Sequence, residues 1–148
     1  MIQNNKKWMM ATIAGTMVIA IGLIADGIAK VKKGDTRPLS TATWMKSVVK
    51  PHCSDLKKEI AAGPKTDDAW ASLIEHAEIL NETSYILMED ERCPDEVWAG
   101  AATKDLRGGS DALIAAAMAK DMGATEAAFK KLTQSCSACH KEHKKKKK

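Results

Sequence analysis

The run Cys136-Ser137-Ala138-Cys139-His140 concentrates more chemistry than any other stretch of the 148 residues. On a helix, two thiols three positions apart share one face, and here an imidazole follows the second directly. Three chemistries use such residues. Covalent haem attachment adds each thiol across a vinyl group and sets the adjacent histidine on the iron, so the porphyrin stays bound without relying on iron affinity. A redox dithiol has the same cysteine spacing, but at a helix N-terminus in a βαβ setting, and no strand pattern precedes this pair. A zinc site would draw in His143 as a fourth ligand, yet four ligands strung along one helix do not converge easily on a tetrahedron. The spacing therefore points to one covalent haem c.

Composition agrees with that reading. Aromatic residues make up 4% of the chain, with one Phe and one Tyr against four Trp. A core so poor in rings leaves room for a large, flat, apolar group. Apolar residues at 45% and charged residues at 28% are those of a globular protein, and the length suits one domain. No acid–base pair or nucleophile stands out among the carboxylates, so no enzymatic activity is expected.

The elements that must position the thiols read as helices, with no period-two stretch of strand length between 41 and 145. A first helix is predicted over Thr41 to Ala62, with Met45, Val48, Val49, Leu56 and Ile60 on one face and Gly63-Pro64 as its stop. Pro51 either kinks this helix or begins it. A second is predicted from Asp67 to Met88, capped by Thr66, with Trp70, Leu73, Ile74, Ala77, Leu80 and Leu87 as its buried stripe. Pro94 and Gly108-Gly109 predict a loop or broken helix over 90–110. A third helix, capped by Ser110, follows over Asp111 to Asp121. After a turn at Met122-Gly123-Ala124, Thr125 caps a fourth, with Phe129 and Leu132 facing inward. Short connections make this an all-α, antiparallel up-down-up-down four-helix bundle.

Charge and hydropathy divide the chain further. Residues 1–33 carry five lysines against Asp26, a net +4. Residues 141–148 carry six lysines against Glu142, a net +5, which leaves 34–140 at −5. An acidic body with basic ends excludes nucleic-acid binding through the folded surface. Residues 8–25 form an uncharged apolar run that would span roughly 27 Å as a helix. With Lys6 and Lys7 before it, the run reads as an N-terminal membrane anchor (1–33) that places the rest on the periplasmic side. The alternative is a cleaved secretory signal that leaves a soluble periplasmic protein. Residues 34–43 read as a linker, 44–143 as the bundle and 144–148 as a lysine tail, which is a solvated end or an arm for an acidic partner protein or anionic lipid. In an exported protein the two remaining cysteines, Cys53 and Cys93, pair most simply as a disulfide.

A four-helix bundle with CSACH on its last helix resembles the class II c-type cytochromes, the cytochrome c′ family. Class I cytochromes carry the motif near the N-terminus instead. The resemblance covers about residues 41–145. It implies that Cys136 and Cys139 form the thioethers, that His140 is the proximal iron ligand and that Trp98 packs near the haem, with ordinary core packing as its alternative. The family's distal residue comes from the first part of helix one, the place of Met45, and is either an iron-binding methionine or an apolar side chain. Bundle geometry puts Met45 and, at the end of helix two, Met88 at the depth of His140. His76 sits at the edge of helix two's apolar stripe, about 18 Å from the haem end, while His52, after Pro51, and His143, one turn past His140, are expected to face solvent. A methionine ligand suits a one-electron carrier between redox partner proteins, whereas an open position suits binding of nitric oxide or carbon monoxide. Homodimers formed through helix one are common in the family.

Overall fold

Pro51 has no N–H to give the carbonyl one turn back, and the first helix absorbs this locally. In the computed structural model, which describes residues 36–144, helix α1 runs through Thr41–Trp44, a π-helical turn Met45–Val49, and Lys50–Ala62 without a break. In the π turn the Lys50 N–H reaches back to the Met45 carbonyl, which widens the coil just ahead of the proline ring. Pro51 therefore neither starts the helix nor splits it. Ser40 caps α1 by accepting from the Thr43 N–H at 3.1 Å, so residues 41–43, read as linker, belong to the helix.

Gly63, at φ 68°, ends α1 and bonds back to Glu59 and Ile60. Thr66 accepts from the Ala69 N–H at 3.2 Å and starts α2, Asp67–Ile86. The connection 87–95 takes left-handed backbone at Asp90 and Glu91. Asp95 then caps α3, accepting from the Trp98 N–H at 3.0 Å. Helix α3 comprises Glu96–Ala99, a π-helical stretch Gly100–Arg107 and Gly108–Met118. It thus starts well before Ser110, within the span expected to be loop. Ser110 is no cap but a buried residue that donates to the Leu106 carbonyl. Gly108-Gly109 does not break the helix: a Cβ on Gly109 would sit 3.2 Å from Leu132 Cβ, so the missing side chain lets α3 approach the last helix. That helix, α4, is Met122–His143. Asp121, rather than Thr125, caps it by accepting from the Ala124 N–H at 3.0 Å.

Among the described residues the fold is all-helical, with four helices and no strand. Each helix packs on its neighbours in sequence, and α1 also touches α4. The sealed core is leucine-rich: Leu56, Leu73, Leu80, Leu113 and Leu132 are essentially inaccessible, joined by Trp70, Trp98 and several alanines. Each such leucine contributes about 1.5–3 kcal/mol by leaving water. Ile74 and Phe129 are only partly buried against this cluster. The apolar run 8–25, its basic flank, the anchoring helix read there, and Lys145 to Lys148 lie outside the described residues. Among those described, no helix is long and apolar enough to cross a membrane.

The two adjacent glycines differ sharply in surroundings, since a Cβ on Gly108 meets nothing within 4 Å. Gly108→Ala is expected to raise stability by up to about 1 kcal/mol through helix propensity. Gly109→Leu should lower it by about 1–3 kcal/mol as α3 is forced off α4. Urea unfolding of the two variants checks the pair.

Candidate functional site

All four helices contribute to an apolar cavity beside the CxxCH run. Met45, Val49 and Cys53 line it from α1, one above another at helical spacing. Leu80 and Leu87 come from the region of α2, and Trp98, Ala101, Ala102 and Leu106 from α3. Leu132, Ser135, Cys136, Cys139 and His140 line it from α4. Both π-helical stretches therefore border this space. The cavity shares Met45, Trp98, Cys139 and His140 with a larger open groove. That groove carries Lys46, Lys50 and Lys144 as a positive rim on an otherwise acidic body, and inside it Arg92 lies beside Asp90 and His143 beside Asp95.

The thiols and the imidazole are tuned by burial. Desolvation raises the Cys136 thiol, and Cys53 raises it further. Desolvation, then the Asp95 carboxylate, raises Cys139. Thiols held in their neutral form, near a helix C-terminus, are the opposite of the activated thiolate of a redox dithiol. Desolvation first, then Lys144, lowers the His140 pKa, so the neutral ring with its metal-binding lone pair persists to lower pH. Among the described residues no three His, Cys, Asp or Glu side chains converge as a metal cage. The zinc reading of Cys136, Cys139, His140 and His143 thus finds no support.

Trp98 is buried, and its indole N–H donates to the Leu87 carbonyl at 2.8 Å. That bond fixes the ring between cavity and groove. His143 does not face solvent as expected: its ring meets Trp98 edge-on at 5.3 Å between centroids, and Nε2 lies 3.4 Å from Asp95 Oδ1. Met88 packs on the core and lines neither space, whereas Met45 lines both. All four cysteines are free thiols, so the expected Cys53–Cys93 disulfide is not formed. The reason is the uninterrupted α1, which turns Cys53 to the cavity wall. Cys93 stays on the connection, where its thiol donates to the Asp95 carbonyl at 3.4 Å.

Arg92 is the residue that sequence reasoning missed. Only 3% exposed, it donates to the Leu39 carbonyl at 2.8 Å and to Thr41 Oγ1 at 3.1 Å. It so ties the start of α1 to the connection 87–95, which a hydrogen bond from Thr36 to Asp90 also joins. Its Nη2 lies 3.8 Å from Asp90 Oδ2, while its Nε–H is buried with no acceptor. A buried charge-bearing donor left open in this way costs more than about 1–3 kcal/mol until an acceptor arrives. The site as a whole therefore combines an apolar slot, two neutral thiols, a neutral imidazole and a cationic edge. That combination fits a flat apolar group with anionic substituents, as haem is.

Compared with known protein families, with curated proteins and with solved structures, the chain finds no match. The arrangement of the site carries the functional reading alone.

Because the folded state depresses the His140 pKa, the unfolded chain binds more protons there as pH falls through the ordinary histidine range, about 6.5. Stability contributed by the neutral ring is complete above that range and declines on acidification. In the haem-free chain, proton NMR is expected to show His140 titrating below an unperturbed histidine. His140→Ala should flatten the pH dependence of unfolding below about pH 6.5.

Proposed function

We propose that this chain is a monohaem c-type cytochrome of the class II kind, a one-electron carrier rather than an enzyme. The observation that supports it is the meeting, at one apolar cavity, of Cys136, Cys139 and His140 on α4 with Met45 on α1. Cys136 and Cys139 would hold the haem through thioethers to its two vinyl groups, and His140 and Met45 would supply the ligands to its iron. Haem c supplies the one-electron couple of its iron, which methionine ligation biases toward the reduced state. Arg92 takes a propionate on its free Nε–H, and Trp98 packs beside the slot. The walls formed by Leu80, Ala101, Ala102 and Leu106 exclude water and so hold the potential steady.

The four helices follow the up-down-up-down order of the cytochrome c′ bundle. The apolar run 8–25 tethers the domain on the exported side of a membrane, where haem c is joined to its thiols in most bacteria. Cleavage of that run would leave the domain free in the same compartment. The cationic rim of Lys46, Lys50 and Lys144, with the lysines after it, gathers an acidic redox partner over about 8 Å at physiological salt.

Expressed in a host able to mature c-type cytochromes, the protein is expected to gain roughly 616 Da by mass spectrometry. The gain should vanish in the Cys136→Ala/Cys139→Ala variant, and a host-matured protein without it would falsify this reading. The oxidised protein should show a weak far-red charge-transfer band and no response to carbon monoxide. Met45→Ala should abolish the band and open the iron to carbon monoxide. If the unmutated protein is already high-spin and binds that gas rapidly, gas binding replaces electron transfer as the function.

A further inference from the structure

We infer a second cofactor site at the seam of α1 and α2, where His52 and His76 hold one divalent metal ion of the copper(II) or nickel(II) class. The inference is independent of the haem reading. The two rings come from different helices and meet through their Nδ1 atoms at 2.8 Å, with centroids 5.0 Å apart and planes at 57°. Both are partly buried, and the His76 side chain is only 17% exposed. Sequence spacing alone separates them and leaves His52 facing solvent.

Glu59, two turns along α1 from His52, prepares the pair. Its Oε1 lies 3.5 Å from His76 Nε2 and accepts from the Ser72 hydroxyl at 2.7 Å, while its Oε2 is buried without a hydrogen-bond partner. A carboxylate facing Nε2 keeps the ring proton on that nitrogen and directs the Nδ1 lone pair at His52. This is the carboxylate–histidine support that metal ligands use. With the metal absent, the His52 Nδ1–H donates to His76 Nδ1. With the metal present, His52 carries its proton on Nε2 instead, so both neutral rings donate from Nδ1 and no proton is released.

Ligand count selects the metal. Two imidazole nitrogens with water in the other positions suit the tetragonal or octahedral shell that copper(II) and nickel(II) prefer, whereas a tetrahedral zinc site draws three or four protein ligands. Among the described residues no third His, Cys, Asp or Glu completes a cluster, so water fills the remaining positions.

Nickel(II) is the probe, because copper(II) would oxidise the free thiols. Calorimetry on the full chain is expected to show one nickel per chain, bound more tightly than zinc. His52→Ala and His76→Ala should each weaken binding at least about tenfold, and Glu59→Gln by about tenfold. Circular dichroism checks that the variants fold. In the unmutated protein, nickel should broaden the NMR ring signals of His52 and His76, a readout that needs no variant. Nickel affinity unchanged in both histidine variants, zinc bound more tightly than nickel, or broadening confined to His140 and His143 would each overturn the site.

Discussion

Where α3 faces the C-terminal half of α4, the side chains are too small to fill the space between four helices. Ala101 and Ala102 on one side meet Ser135, Cys136 and Cys139 on the other. Elsewhere Leu56, Leu73 and Leu113 close the interior completely and line no cavity. Close packing is the norm inside proteins, and unfilled apolar volume costs lost dispersion contacts in proportion to its size. Alanines opposite cysteines, in a bundle otherwise sealed by leucines, leave this part of the interior less filled than the rest. The near absence of phenylalanine belongs to the same arrangement.

The backbone around the slot departs from regular α-helix on both flanks. One π-helical turn, Met45–Val49, lies on α1 and a longer one, Gly100–Arg107, on α3, and such insertions often accompany functional sites. Their effects on the slot are complementary. The α1 turn relieves the proline and brings Met45 to the shared wall of cavity and groove. The α3 stretch presents Ala101, Ala102 and Leu106 to the cavity. Arg92 then clamps the entrance of α1 to the connection 87–95, which keeps the mouth of the groove in shape.

Much of this was legible in the residues. The thiol–imidazole run, the helical class and most of the buried stripe of α2 follow from spacing and periodicity, which are local properties of the chain. What escaped were features set by a neighbouring helix. Gly108-Gly109 has the composition of a break, yet Gly109 is a packing residue whose reason lies on α4, at Leu132. His143 and Arg92 look like solvated charges until Trp98 and the start of α1 are placed beside them. His52 and His76 are far apart in sequence, and only the α1–α2 seam joins them. The Cys53–Cys93 pairing failed for the opposite reason. Counting spare thiols says nothing of the wall each will face once α1 runs straight through its proline.

The π turn ahead of Pro51 also sets the phase of everything before it. A helix advances about 100° per residue, so one surplus residue wound into a single turn rotates the upstream chain by about a third of a revolution relative to the downstream part. Lineages that shed a residue between 45 and 49 would therefore keep the same letters on α1 yet aim them along another compass bearing. The α1 wall of the cavity would then be formed by whatever side chain swung into its place. In this molecule the identity of that wall is a matter of winding as much as of sequence.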